Sequence, residues 1–202
     1  MALLADEYLS VPGGGEGIYK DRGSRFIARA YPVETEDDVK AVLEVLRREF
    51  HDARHHCYAY RLGLKADRYR ANDDGEPSGS AGRPILGQLE SRGLSDVLVV
   101  VVRYFGGIKL GVPGLIKAYR TSASDALDAA GTIVRTASVR YSLSFGYDAL
   151  PQVMNVIKDM GLEQLSQDFG LDCTLRVRVR LTLEEDFIRR ISDIRGVAAT
   201  AL

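Results

Sequence analysis

The chain has 202 residues, 46% of them hydrophobic and 27% charged, with 20 Gly, 6 Pro and 2 Cys; this composition excludes disordered, collagen-like and fibrous classes. A chain this long buries roughly 70% of the surface its unfolded form exposes, so it needs no disulfide or metal staple. The 27 Lys and Arg against 28 Asp and Glu leave neither half of the chain basic, so any nucleic-acid contact must be local.

The longest apolar run, residues 97–102, is far shorter than the roughly 20 residues a membrane-spanning helix needs. The first residues turn acidic at Asp6 and Glu7 without the basic start of a secretory leader. Cys57 and Cys173 make no C-x-x-C pair. The expectation is a reduced, cytoplasmic protein with no membrane contact.

Residues 13–15, Gly-Gly-Gly, read as a mobile tail. Residues 24–33 mix alternation with an apolar centre and stop at a proline, as an outer strand does. Thr35 is an N-cap for a helix with Glu36, Asp37 and Asp38 in its first turn and Val39, Val42, Leu43, Leu46 and Phe50 at helical spacing. Residues 55–62 read as a strand, 72–83 as a loop and 84–92 as a short helix with Pro at its first turn. Residues 94–105, with an almost unbroken Val run, predict a central strand buried on both faces. A second long helix runs from Pro113 to Gly131, with Leu115, Ile116, Tyr119, Ala123, Ala126, Leu127 and Ala130 on one stripe.

Near Thr136 the pattern changes. Residues 138–145 alternate strictly, Asp148 opens a helix closed by Gly161, strands follow over 162–169 and 173–181, a helix over 184–194 and a last short strand over 197–201. That order predicts a ferredoxin-like sandwich. The predicted fold class is therefore α+β, with an N-terminal α/β domain over residues 1–135 and a C-terminal ferredoxin-like domain over 136–202.

Three constellations could carry chemistry. Residues 72–83 pack Asp73, Asp74 and Glu76 among Gly75, Ser78, Gly79, Ser80 and Gly82; the glycines free backbone amides toward a ligand, and the acids could hold a cation or orient a base or sugar hydroxyl. A turn capped by its own Asx side chains explains the loop equally well. Arg103, Tyr104, Phe105, Gly106, Gly107, Lys109 and Gly111 lead from the buried strand to a helix start, where orphan amides and the helix dipole favour an anion, Arg103, Lys109 and Lys117 add cations and Tyr104 or Phe105 a stacking face. It is neither a Walker loop nor a G-x-G-x-x-G fingerprint, and a tight strand-to-helix turn explains its glycines as well.

His51, His55, His56 and Cys57 hold all three histidines and one cysteine. On a strand His55 and Cys57 share one face and His56 takes the other, so only part of the cluster converges; too few soft ligands remain to enclose zinc, and no metal or cofactor is expected. A Cys57 nucleophile with a histidine base lacks any activating neighbour in the sequence. Arg176, Arg178 and Arg180 form a basic ladder on one strand face, the pattern of a solvated sheet surface.

Residues 51–60, 72–86 and 101–111 resemble, in order and spacing, the three signature blocks of the IMPACT family in its bacterial YigZ-like form. Val112-Pro113 departs from the small or hydroxyl residue followed by glycine that the family has there. The resemblance implies an N-terminal ribosomal-protein-like β-α-β domain and a C-terminal domain similar to a C-terminal domain of elongation factor G. It further implies translation regulation, since eukaryotic members compete for the activator of the general-control kinase, while no catalytic residue carries over from bacterial members.

The function expected is that of a binding and regulatory protein rather than an enzyme, with RNA or a ribosome-associated surface as partner. The binding residues expected are Arg103, Tyr104, Phe105, Gly106, Gly107, Lys109, Gly111, Lys117, His55, His56, Asp73, Asp74, Gly75, Glu76, Ser78 and Gly79. The alternatives are a protein-protein regulator without nucleic acid, and a small-molecule or metal-dependent enzyme using the acidic loop.

Overall fold

The structure, a computed structural model, describes residues 3–202. Met1 and Ala2, part of the segment read above for a leader, lie outside it. The chain divides into two compact units: Tyr8–Arg135, and Thr136–Leu202 with the N-terminal residues up to Glu7.

In the first unit, strands β1 (Glu7–Ser10), β2 (Gly15–Asp21) and β3 (Ser24–Pro32) precede helix α1 (Glu36–Glu49). Strands β4 (His55–Leu62) and β5 (Arg68–Asn72) lead to helix α2 (Gly82–Ser91), and strand β6 (Val97–Tyr104) to helix α3 (Gly111–Ala130) and strand β7 (Ile133–Thr136). The main sheet has the order β2-β3-β6-β4-β5, every neighbour antiparallel, and β1 pairs with β7 in a separate two-stranded sheet. As expected, β6 is central.

Helices cover both faces of this sheet, which is why β6 is buried on both although its neighbours are antiparallel. Val97, Val99 and Val101 pack with Leu115, Tyr119 and Leu127 of α3 and Ile85 and Leu89 of α2. Leu98 and Val100, on the opposite pleat, pack with Val39, Leu43 and Leu46 of α1. Thr35 is the N-cap expected, and the structure adds a full capping box: the Asp38 amide donates to Thr35 Oγ1 at 3.1 Å, and Asp38 Oδ2 accepts the Thr35 amide at 2.8 Å.

The triple glycine is not a tail. Gly15 opens β2, and Gly15 and Gly17 lie against α3 so closely that a Cβ on Gly17 would sit 2.4 Å from the Ser122 carbonyl oxygen and one on Gly15 2.2 Å from that of Ala126. The small residues permit a backbone-to-backbone approach of strand and helix, a packing role that resembles flexibility when read from composition.

The second unit contains strand β8 (Ser138–Phe145), helix α4 (Leu150–Asp159), strands β9 (Glu163–Phe169) and β10 (Cys173–Arg180), helix α5 (Glu184–Ser192) and strand β11 (Val197–Ala201). Its sheet order β11-β8-β10-β9 is the antiparallel ferredoxin-like arrangement predicted. Tyr141, Leu143, Phe145, Leu175, Val177 and Val179 alternate onto the face that α4 and α5 cover with Val153, Ile157, Phe187 and Ile191. Tyr141 donates to Glu184 at 2.6 Å, and this hydrogen bond raises its hydroxyl pKa to about 12. The arginine ladder is shorter than its sequence spacing suggests: Arg180 turns to Asp6, with Nη2 to Oδ1 at 2.8 Å, and Arg178 pairs with Glu163 at 2.8 Å.

Candidate functional site

Strand register brings the sequence motifs to one end of the N-terminal sheet. Arg25 at the start of β3 lies opposite Tyr104 at the end of β6, and His55 at the start of β4 opposite Arg103. Strand β5, antiparallel to β4, therefore ends at the same side, and there α2 and α3 both begin. The β2–β3 turn, the acidic loop and the glycine loop thus share this end.

The acidic loop is held by its own carboxylates. Asp73 accepts the amides of Gly79, Ala81 and Gly82 at 2.8, 2.9 and 2.8 Å, capping α2, whose N-cap Ala81 has no side-chain acceptor to offer. Burial opposes ionisation of Asp73, but the three amides outweigh it and hold the carboxyl below the ordinary range. Asp74 accepts the His56 amide at 2.7 Å, and its carbonyl oxygen meets His55 Nδ1 at 2.8 Å. Asp74 and Gly75 have φ of 41° and 86°, the left-handed turn that the Asp-Gly pair permits. Gly79 is left-handed too, with open space beside its Cα, while Ser78 is exposed.

Glu76 points inward. Its Oε1 accepts from Arg103 Nη1 at 2.6 Å and from the Tyr119 hydroxyl at 2.8 Å. Cys57 Sγ lies 3.3 Å from the same hydroxyl and 3.0 Å from the Asp73 carbonyl oxygen. Burial pushes the Cys57 thiol and the Tyr119 hydroxyl well above their usual values. A protonated thiol whose one S–H has only the Asp73 carbonyl oxygen and the Tyr119 hydroxyl within reach in a dry site is a structural group, not an activated nucleophile. His56 is buried, which pushes its pKa down, and its Nε2 has no hydrogen-bond partner among the described residues.

Arg103 departs from the expectation of a mobile phosphate ligand. It is 7% exposed, ion-paired to Glu76, and its guanidinium lies 5.4 Å from the Phe26 ring centroid and 5.6 Å from that of Phe105. The pleat decides this: Arg103 continues the Val97, Val99, Val101 series that faces α3. Tyr104 takes the other face, where its hydroxyl donates to Asp52 at 2.7 Å and Arg25 covers its ring at 4.9 Å. The bond to Asp52 raises the Tyr104 hydroxyl pKa and lowers that of the carboxyl.

What faces solvent is the glycine loop with the turn beside it. Phe105 and Ile108 are each 55% exposed, Val112 is 46% exposed, and Lys109, Gly107, Gly111 and Lys117 are exposed. Gly106 touches the β2–β3 turn: a Cβ there would lie 1.9 Å from the Gly23 carbonyl carbon, and its amide donates to Ser24 Oγ at 3.1 Å. A cleft of about 560 Å³ opens beside this contact, lined by Lys20, Asp21, Arg22, Arg25 and Tyr104. Sequence reasoning does not find Lys20, Arg22 and Arg25, because their proximity to the glycine loop depends on the β2–β3 turn and the β3–β6 pairing. No group of three metal-ligating side chains occurs among the described residues, nor any helix long and apolar enough to cross a membrane.

Residues 22–127 match the family described as the Impact N-terminal domain. IMPACT family member YvyE of Bacillus subtilis is 39% identical over 156 residues, covering 77% of this chain and 72% of that protein. IMPACT family member YigZ of Escherichia coli is 35% identical over 172 residues, covering 84% of each. A crystal structure of a hypothetical protein, 30% identical, superposes with a TM-score of 0.73 over 98% of both chains. The family match spans the whole of this end of the sheet, from the β2–β3 turn to α3, and the chain belongs to the IMPACT family.

Proposed function

We propose that the protein is a non-enzymatic, translation-linked regulator that binds single-stranded RNA at this end of its N-terminal sheet. The observation that carries the reading is the exposed Phe105 at the end of the sheet where Gly106 touches the β2–β3 turn, so that exposed cations of two separate segments, Lys20, Arg22 and Arg25 on one and Lys109 on the other, share that end with it. None of these four is in an ion pair among the described residues. Aromatic faces stack on bases without regard to sequence, and cations nearby meet phosphates. The link to translation rests on the family resemblance.

A binding role is favoured over catalysis because the polar groups of the acidic loop already have partners. Asp73 caps a helix, Asp74 ties two strands' ends and Glu76 neutralises a buried arginine. A protein partner is the second reading, favoured by the apolar triplet Phe105, Ile108 and Val112 on one exposed loop.

Titration of labelled single-stranded RNA at low salt tests the proposal. Binding with a shallow salt dependence is expected, a log-log slope of roughly −1.4 to −2 for two or three phosphates. Absence of binding at low salt, together with a stoichiometric protein partner free of nucleic acid, would transfer the function to the second reading.

A further inference from the structure

Beyond the glycine loop, α2 and α3 lie side by side. A cleft of about 430 Å³ opens along them, lined by Gly79, Arg83, Gly87, Gln88, Ile116 and Arg120. Arg83 and Arg120 are both exposed, and neither is in a hydrogen bond or ion pair among the described residues, whereas Arg92, just past the end of α2, is engaged by Asp128 at 2.9 Å. Gly79 and Gly87 have nothing within 4 Å of a Cβ position, so the cleft floor presents bare backbone. The two stretches that build this surface, residues 77–89 and 105–124, contain Arg83, Lys109, Lys117 and Arg120 and no acidic residue. On α3, Lys117 and Arg120 are one turn apart and share a face. The row of cations therefore runs from the glycine loop along the first half of α3 to the cleft.

From this arrangement we infer that the α2–α3 cleft is a second phosphate site, in which Arg83 and Arg120 grip the backbone of an RNA strand whose bases meet Phe105. Two planar guanidinium forks on opposite helices suit the tetrahedral oxygens of a phosphodiester, which they can contact in pairs. The absence of acids in both stretches removes competitors for those forks. The cleft carries no exposed aromatic ring, so it would position the strand and leave base contact to the loop. The inference rests on the proposed RNA-binding reading and adds to it a direction for the strand and a length requirement.

The test uses the full chain, labelled RNA oligonucleotides of increasing length, and the variant Arg83→Gln/Arg120→Gln. Both side chains are exposed, so thermal unfolding of the variant should match the wild type. For long oligonucleotides the two cleft contacts should steepen the wild-type slope by about 1.4 beyond that of the loop alone, and the variant should bind about tenfold or more weakly and return to the loop-only slope. For oligonucleotides too short to reach from Phe105 to the cleft, variant and wild type should bind alike. Wild-type binding with an unchanged affinity and slope in the variant at every length would overturn the second site while leaving the RNA reading intact. No binding by the wild type at any length would remove both.

Discussion

Arg103 and Glu76 form a buried ion pair, Nη1 to Oε1 at 2.6 Å, with side chains 8% and 4% exposed. It joins the glycine loop to the acidic loop, and the Tyr119 hydroxyl adds α3 to the same oxygen. A charge in such a place is stable only while its partner stays, because the interior offers neither water nor a second counter-ion. The pair thereby makes the two loops one rigid support for the exposed Phe105 above it.

Arg103→Ala should cost about 3–5 kcal/mol in urea unfolding, and Glu76→Ala a similar amount, since either leaves an isolated buried charge. Arg103→Met combined with Glu76→Leu should recover much of the loss. If the single variants each cost less than about 1 kcal/mol, the pair is solvated and the account of the site changes.

Gly17→Ala should destabilise by about 1–3 kcal/mol or more, because its Cβ would meet α3 backbone atoms that cannot yield. Gly13→Ala, where nothing lies within 4 Å of the added methyl, should stay within about 0.5 kcal/mol of wild type. Equal effects at the two positions, read by thermal unfolding, would contradict the close packing of β2 on α3.

Asp73 binds its proton more weakly in the folded chain than in the unfolded one. Its stabilisation is therefore complete at neutral pH, starts to fall as pH drops below about 4, the unfolded carboxylate range, and is lost once pH passes below the lowered native value. Asp73→Asn should be less stable at pH 7 and flatter in its acid dependence across that window. Parallel stability curves for the two proteins would show that the three amides do not act on the charged form.

Phe105→Ala should weaken RNA binding by about 1–3 kcal/mol with an unchanged salt slope, because stacking releases no counter-ions. Lys109→Ala should flatten the slope by about 0.7, one phosphate contact. Tyr104→Phe, which removes only the hydroxyl bound to Asp52, should leave titrations indistinguishable from wild type. A large loss in Tyr104→Phe would give the Tyr104 hydroxyl, in the cleft beside the β2–β3 turn, a direct part in RNA contact.

Much of the fold is legible in the residues because it follows local rules. The Thr35 cap and its acidic first turn, the Val run of β6, and the strict alternation of β8 and β10 each name an element from its own neighbours. Strands β1, β2, β5 and β7 escape such reading: β2 begins among glycines and β5 is an exposed, polar edge, so neither shows an apolar period. In the site, motif spacing marked both loops but not their division of labour. Whether an arginine meets solvent or a buried glutamate depends on which pleat it occupies and on what another segment, far along the chain, places opposite. Sequence therefore determined the two-unit α+β architecture and the loops that matter, through periodicity and turn chemistry. Only the tertiary structure decided that Arg103 and Glu76 are core and that Lys20, Arg22 and Arg25 line a cleft with Tyr104 beside the glycine loop, because strand pairing and burial are non-local.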